Sequence, residues 1–157
     1  MSEKTNSDFI KKIPDDKVVE ALVKDYRDDA ILLIELGFIA IKQSDEMNAL
    51  RLFSAAQLLN LKSVAPLIGM GYIAIHKTDT KGAREIFQKV LKIEPENELA
   101  NVFLQMCSLI DNTNVKTAHK NLVKLNENSV DETTKTFCTS LIKWCEKDPV
   151  KKQQLAI

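Results

Sequence analysis

The chain has 157 residues, 45% of them hydrophobic and 28% charged, with only four Gly and four Pro. That length suits one domain large enough to bury a core, and the composition excludes a low-complexity or disordered chain. Lys+Arg and Asp+Glu balance at 22 each, so there is no electrostatic footprint for nucleic acid or an anionic membrane surface.

No apolar run reaches the roughly 18 residues of a membrane span, so no membrane insertion is expected. The opening "MSEKTNSDFIKKIPDD" is polar and lacks the apolar segment of a secretory signal. The cysteines, Cys107, Cys138 and Cys145, are odd in number and form no C-x-x-C pair. Buried thiols in a reduced, cytoplasmic protein are the expectation. His76 and His119 sit at no metal-ligand spacing, and no phosphate-cradling glycine loop or nucleophile elbow occurs. A non-enzymatic protein without cofactor or metal is expected.

In chain order, residues 1–12 read as a polar, flexible tail, and residues 13–147 as one helical domain. After Pro14, the residues Val18, Val19, Leu22, Val23 and Tyr26 recur at steps of three and four, the stripe of an amphipathic helix. The segment "RDD" at Arg27–Asp29 ends it.

Two stretches then read almost as one. "LGFIAIKQSDEMNALRLF" from Leu36 and "MGYIAIHKTDTKGAREIF" from Met70 lie 34 residues apart with no gap. Gly37, Gly71, Ala49 and Ala83 are small at matching places, which lets two helices cross closely. Phe53 and Phe87 supply the volume behind each crossing. "KQSDE" and "KTDTK" read as polar turns between antiparallel helices, and "KIEPEN" (Lys92 to Asn97) as a pre-proline break before a new helix.

The spacing predicts units at about 30–63, 64–97 and 98–128. The third keeps the apolar rhythm, with "DNTN" as its turn, but carries Gln105 in place of the Gly. Ser129 and Glu132 in "SVDE" read as a capping box for a last helix over about 130–147. Residues 148–157, with the basic "KK" of Lys151 and Lys152, read as a solvated tail.

A 34-residue helix–turn–helix period resembles the tetratricopeptide repeat (TPR) family. The likeness falls on Leu33, Leu36, Gly37 and Ala40 with Ala49, Phe53 and Ala56, then on Leu67, Met70, Gly71 and Ala74 with Ala83, Phe87, Val90 and Pro95. Leu61 stands where the first unit would carry its closing Pro. The resemblance implies an all-α tandem solenoid of about three repeats with flanking helices. It also implies a concave groove lined by the first helix of each unit.

The positions that would face this groove are Ile34, Phe38 and Ile41, then Ile68, Tyr72 and Ile75, then Val102, Met106 and Leu109. All are apolar or aromatic, so either another part of the chain covers them or they bind an apolar partner. Groove residues of this kind exclude the Lys and Asn clamp by which related repeats hold a carboxylate tail.

A short three-repeat protein with an apolar groove is similar to the chaperones of bacterial type III secretion. The third unit, "LANVFLQMCSLIDNTNVKTAHKNLVKL", resembles those that hold the needle subunit. That resemblance implies a client whose apolar helix is sequestered before it polymerises, and a second small helical co-chaperone. A chaperone of translocator proteins and a general TPR scaffold stay open as alternatives.

Overall fold

Short polar turns cut the apolar rhythm of the chain into helices of near-equal length. A computed structural model describes residues 29–60 and 62–156, together with Tyr26. The expected 1–12 tail, the stripe from Val18 to Val23, and Leu61 lie outside the described residues. Among the described residues are eight α-helices and no strand, as the periodicity predicts. They are α1 Asp29–Lys42, α2 Glu46–Leu59, α3 Ala65–His76, α4 Thr80–Ile93, α5 Glu98–Ile110, α6 Val115–Asn128, α7 Glu132–Lys147 and α8 Pro149–Ala156.

Three hairpin turns close in the same way. The Asp45 N–H donates to Ala40 O and the Ser44 N–H to Ile41 O; Asp79 and Thr78 repeat this on Ala74 and Ile75, each bond at 2.9 Å. Thr113 and Asn112 do so on Ser108 and Leu109. Ser44, Thr78 and Asn112 adopt left-handed φ of 60°, 61° and 52°, which is the Schellman end of a helix without its usual Gly. The helix that follows the first two turns is capped by the same residue type. Asp45 accepts from the Asn48 N–H and Asp79 from the Gly82 N–H, satisfying donors that a helix start leaves unpaired.

Each helix packs on its sequence neighbours, and α1, α3, α5 and α7 also touch across the helix between them. Phe53 and Phe87 are fully buried, as are Ala49 and Ala83. The ring of Phe53 fills the space over Gly37 of α1 and Gly69 of α3, and that of Phe87 lies over Gly71 of α3. Phe87 also stacks on Phe103 of α5, with centroids 4.9 Å apart and planes 9° from parallel. One phenylalanine of each even helix thus joins the helices before and after it. Gly69 belongs to this contact, although sequence spacing drew attention only to Gly37 and Gly71.

Two local expectations change. The cap of α7 is Asp131, whose carboxylate accepts from the Thr134 N–H at 2.7 Å. Ser129 is instead buried, and its hydroxyl donates to Glu98 at the start of α5. The stretch expected as a solvated tail contains the helix α8, which packs on α6 and α7. Lys151 is its buried residue, 4% exposed. Its ammonium donates to Asn112 Oδ1 at 2.9 Å and to Asp148 Oδ2 at 3.4 Å, and lies 4.3 Å from the centre of the Trp144 ring. A buried ammonium needs such partners.

A Cβ added at Gly71 would stand 2.5 Å from the Phe87 ring, which is itself 0% exposed and cannot withdraw. Gly71→Ala should therefore lose about 1–3 kcal/mol in urea unfolding, the usual range for overpacking. Gly71→Ala/Phe87→Leu should cost less than the two single changes added together, because the second relieves the first.

The cap carboxyls give an acid limb. Asp131 is held below its ordinary 3.8 first by the Thr134 hydroxyl and then by its N–H; Asp45 by the Asn48 amide; and Asp148 by the Lys151 N–H. A lowered folded value means the caps stabilise fully above the unfolded carboxyl value and lose that contribution as pH falls through the folded one. Asp131→Asn keeps a capping acceptor but does not titrate. Its urea midpoint should fall less steeply than that of the unaltered protein as the pH is lowered from about 5 towards 2.

Candidate functional site

The groove positions expected from sequence fall along α1, α3 and α5, and their exposure decreases in that order. On α1, Ile34 and Ile41 are half-buried against the core around Phe53. Phe38 stays 36% exposed, with its ring edge-on to Phe53 at 5.1 Å. On α3, Ile68 and Ile75 are buried in the second core. Tyr72 is half-buried, its ring 4.5 Å from the imidazole of His76 and 6.0 Å from Phe103.

On α5 the arrangement departs from an open groove. Val102 and Leu109 are both 0% exposed, inside a third core with Val115, Leu122, Cys138 and Leu141. The physical reason is α7, which packs on both α5 and α6 and takes up the apolar face that α5 would otherwise present. Phe137 of α7 sets its ring edge-on to Phe103 at 5.3 Å. Met106 is half-buried between the second and third cores.

The nine positions therefore divide among three cores instead of forming one continuous lining. The accessible part is Phe38 with the half-buried Ile34, Ile41, Tyr72 and Met106. Sequence reasoning missed Phe137, because a terminal helix carries no spacing that says which neighbour it will cover.

It also missed a second apolar surface. Ile31, Leu32 and Ile39 of α1 are 62%, 54% and 48% exposed, and Leu36, expected in the core, is 40% exposed. The signal was present: residues 30–41, "AILLIELGFIAI", carry one charge, at Glu35, so no polar face exists to meet water.

Polar chemistry at the site is sparse and structural. Arg84 donates to Ser108 Oγ at 3.1 Å and to Asp111 Oδ2 at 3.0 Å, tying α4 to the end of α5. His119 Nε2 lies 3.7 Å from a carboxylate oxygen of Glu146. Among the described residues no group of three or more His, Cys, Asp or Glu side chains is placed to hold a metal ion. In the same residues, no helix is long and apolar enough to cross a membrane. What this surface offers a ligand is apolar and aromatic contact.

Compared with known proteins, the chain matches no family model and no curated protein.

The three thiols are buried, and desolvation raises all of them, that of Cys107 to about 11. Thiolate, the reactive form, is then scarce at neutral pH. A thiol reagent should leave Cys107, Cys138 and Cys145 unmodified in the native protein and label all three once urea unfolds it. Rapid labelling of the native protein would contradict this packing.

Proposed function

We propose that this chain is a TPR-type protein-binding module that holds an apolar helix of a secreted, self-assembling subunit. The reading of the repeat is supported by the spacing of the helices. α2 and α4 begin 34 residues apart and end 34 residues apart, and the turns before them share one hydrogen-bond pattern.

The observation that carries the binding role is the incomplete burial of Phe38 and Tyr72. The close crossing of helices requires Gly37, Gly71, Ala49 and Ala83, but nothing in that crossing requires an aromatic side chain one position beyond each Gly. A helix laid over Phe38 and Tyr72 would cover apolar surface worth on the order of 1.5–3 kcal/mol per side chain, less the costs of association. The binding face in this reading centres on α1 and α3. It ends at Met106, where α7 has already taken its place.

The resemblance to type III secretion chaperones makes a needle subunit the proposed client. Sequestering its helix would keep it monomeric in the cytoplasm until export, with a small helical co-chaperone completing the complex. No turnover or cofactor enters this mechanism. A translocator client or a general scaffold would use the same face.

Co-expression with a needle subunit and with a translocator, followed by copurification, tests the assignment. The needle subunit should come through as a soluble complex. If neither does, the secretion reading fails. Phe38→Glu and Tyr72→Glu should each weaken binding by about tenfold to a hundredfold, equivalent to roughly 1.4–2.7 kcal/mol, while helical content by circular dichroism is unchanged. Binding that survives both changes would place the site elsewhere.

A further inference from the structure

The exposed face of α1 has counterparts in the next two units, and there it is covered. One period on from Leu32 and Ile39 stand Pro66 and Ile73; a second period on stand Ala100 and Cys107. All four of these are buried. Ile73 packs with Ala49 and Phe53 of α2, and Ala100 and Cys107 pack with Ala83, Phe87 and Val90 of α4. In each case the cover is the even helix that precedes. Leu32 and Ile39 are 54% and 48% exposed, at the positions where a preceding even helix would lie.

We infer that residues 12–25 of this chain are the occupant of that face, folding as one more even helix against α1. The same period locates them, since α2 spans Glu46–Leu59 and α4 spans Thr80–Ile93, and one step of 34 before α2 falls on 12–25. Their sequence, "KIPDDKVVEALVKD", carries Val19 and Leu22 in register with the buried Phe53 and Ala56, and with the buried Phe87 and Val90. Val18 matches the half-buried Leu52 and Ile86. Pro14 falls in the first turn, where no helical N–H is needed.

The tether also fits. The Asp29 N–H donates to Tyr26 O at 3.1 Å, so the chain turns just before α1. Three residues, 26–28, separate the segment from α1, against the four residues, 94–97, that join α4 to α5. One position differs. Glu35 stands where Gly69 and Phe103 receive the preceding ring. Val19 is shorter than that ring and leaves the Glu35 side chain a route to solvent.

This inference is independent of the client-binding reading and is tested on the full chain alone, by hydrogen exchange with mass spectrometry alongside sedimentation. Amides in 12–25 should exchange at least about tenfold more slowly than an unstructured peptide of the same sequence, in a protein that sediments as a monomer. Ile39→Asp on α1 and, separately, Leu22→Asp in the segment should each return 12–25 to peptide-like rates while α3 to α6 keep their protection. Peptide-like exchange of 12–25 in the unaltered monomer would overturn the proposal, as would protection that persists in Ile39→Asp. Protection of α1 that rises with protein concentration, together with a dimer in sedimentation, would assign the face to a second copy and overturn it as well. If Ile39→Asp unfolds the whole chain, Leu22→Asp decides.

Discussion

The structure depends on one repeated contact: an aromatic ring from an even helix seated on the backbone of a glycine in the odd helix beside it. Phe53 lies over Gly37 and Gly69, and Phe87 over Gly71. A fully buried Phe is worth about 1.5–3 kcal/mol in transfer alone, and the stacking of Phe87 on Phe103 adds to it. The contact works only because the partner has no Cβ, so ring and glycine are meaningful as a pair. Since each ring touches the helix before and the helix after, one residue type sets both the hairpin and the stacking of successive hairpins. The third unit shows the substitution this permits: Phe103 takes the place of Gly69 and meets Phe87 by stacking instead of by close backbone approach.

An array built this way has two ends, and each must be closed. At the C-terminal end α7 takes the apolar face of α5, and α8 then locks the corner. Asn112 in its left-handed turn, Asp148 and the Trp144 ring together satisfy the ammonium of Lys151. At the other end α1 presents Ile31, Leu32 and Ile39 outward, more apolar surface than one helix of a water-soluble domain usually leaves open. The contrast between the ends is the clearest asymmetry of the molecule.

The sequence carried the regular part of this architecture well. The period, the turns at "KQSDE" and "KTDTK" and the buried status of Ala49, Phe53, Ala83 and Phe87 follow from local rules that hold in every unit. What it did not carry are contacts between residues far apart in the chain. Val102 and Leu109 have the same apolar character as Phe38 and Tyr72, and only the position of α7 decides that they are core. Lys151 looks like any lysine in a polar run, and its burial depends on Asn112, 39 residues earlier. Ser129 has the composition of a cap, yet Asp131 takes that role because the Ser129 hydroxyl is turned towards Glu98.

These differences bear on how a partner would be read by the molecule. A groove lined alike in all three units would accept a long helix without fixing its position. Here the lining narrows from Phe38 on α1 through Tyr72 on α3 to a wall formed where Phe137 meets Phe103. A helix entering from the α1 side would run against that wall, so the closed end sets both its register and its length of contact. Burial at Val102 and Leu109 therefore restricts the surface and supplies the stop that an open groove lacks. Any specificity for one helical client over another would then lie in how its side chains meet Phe38 and Tyr72 once its end is fixed at the α7 wall.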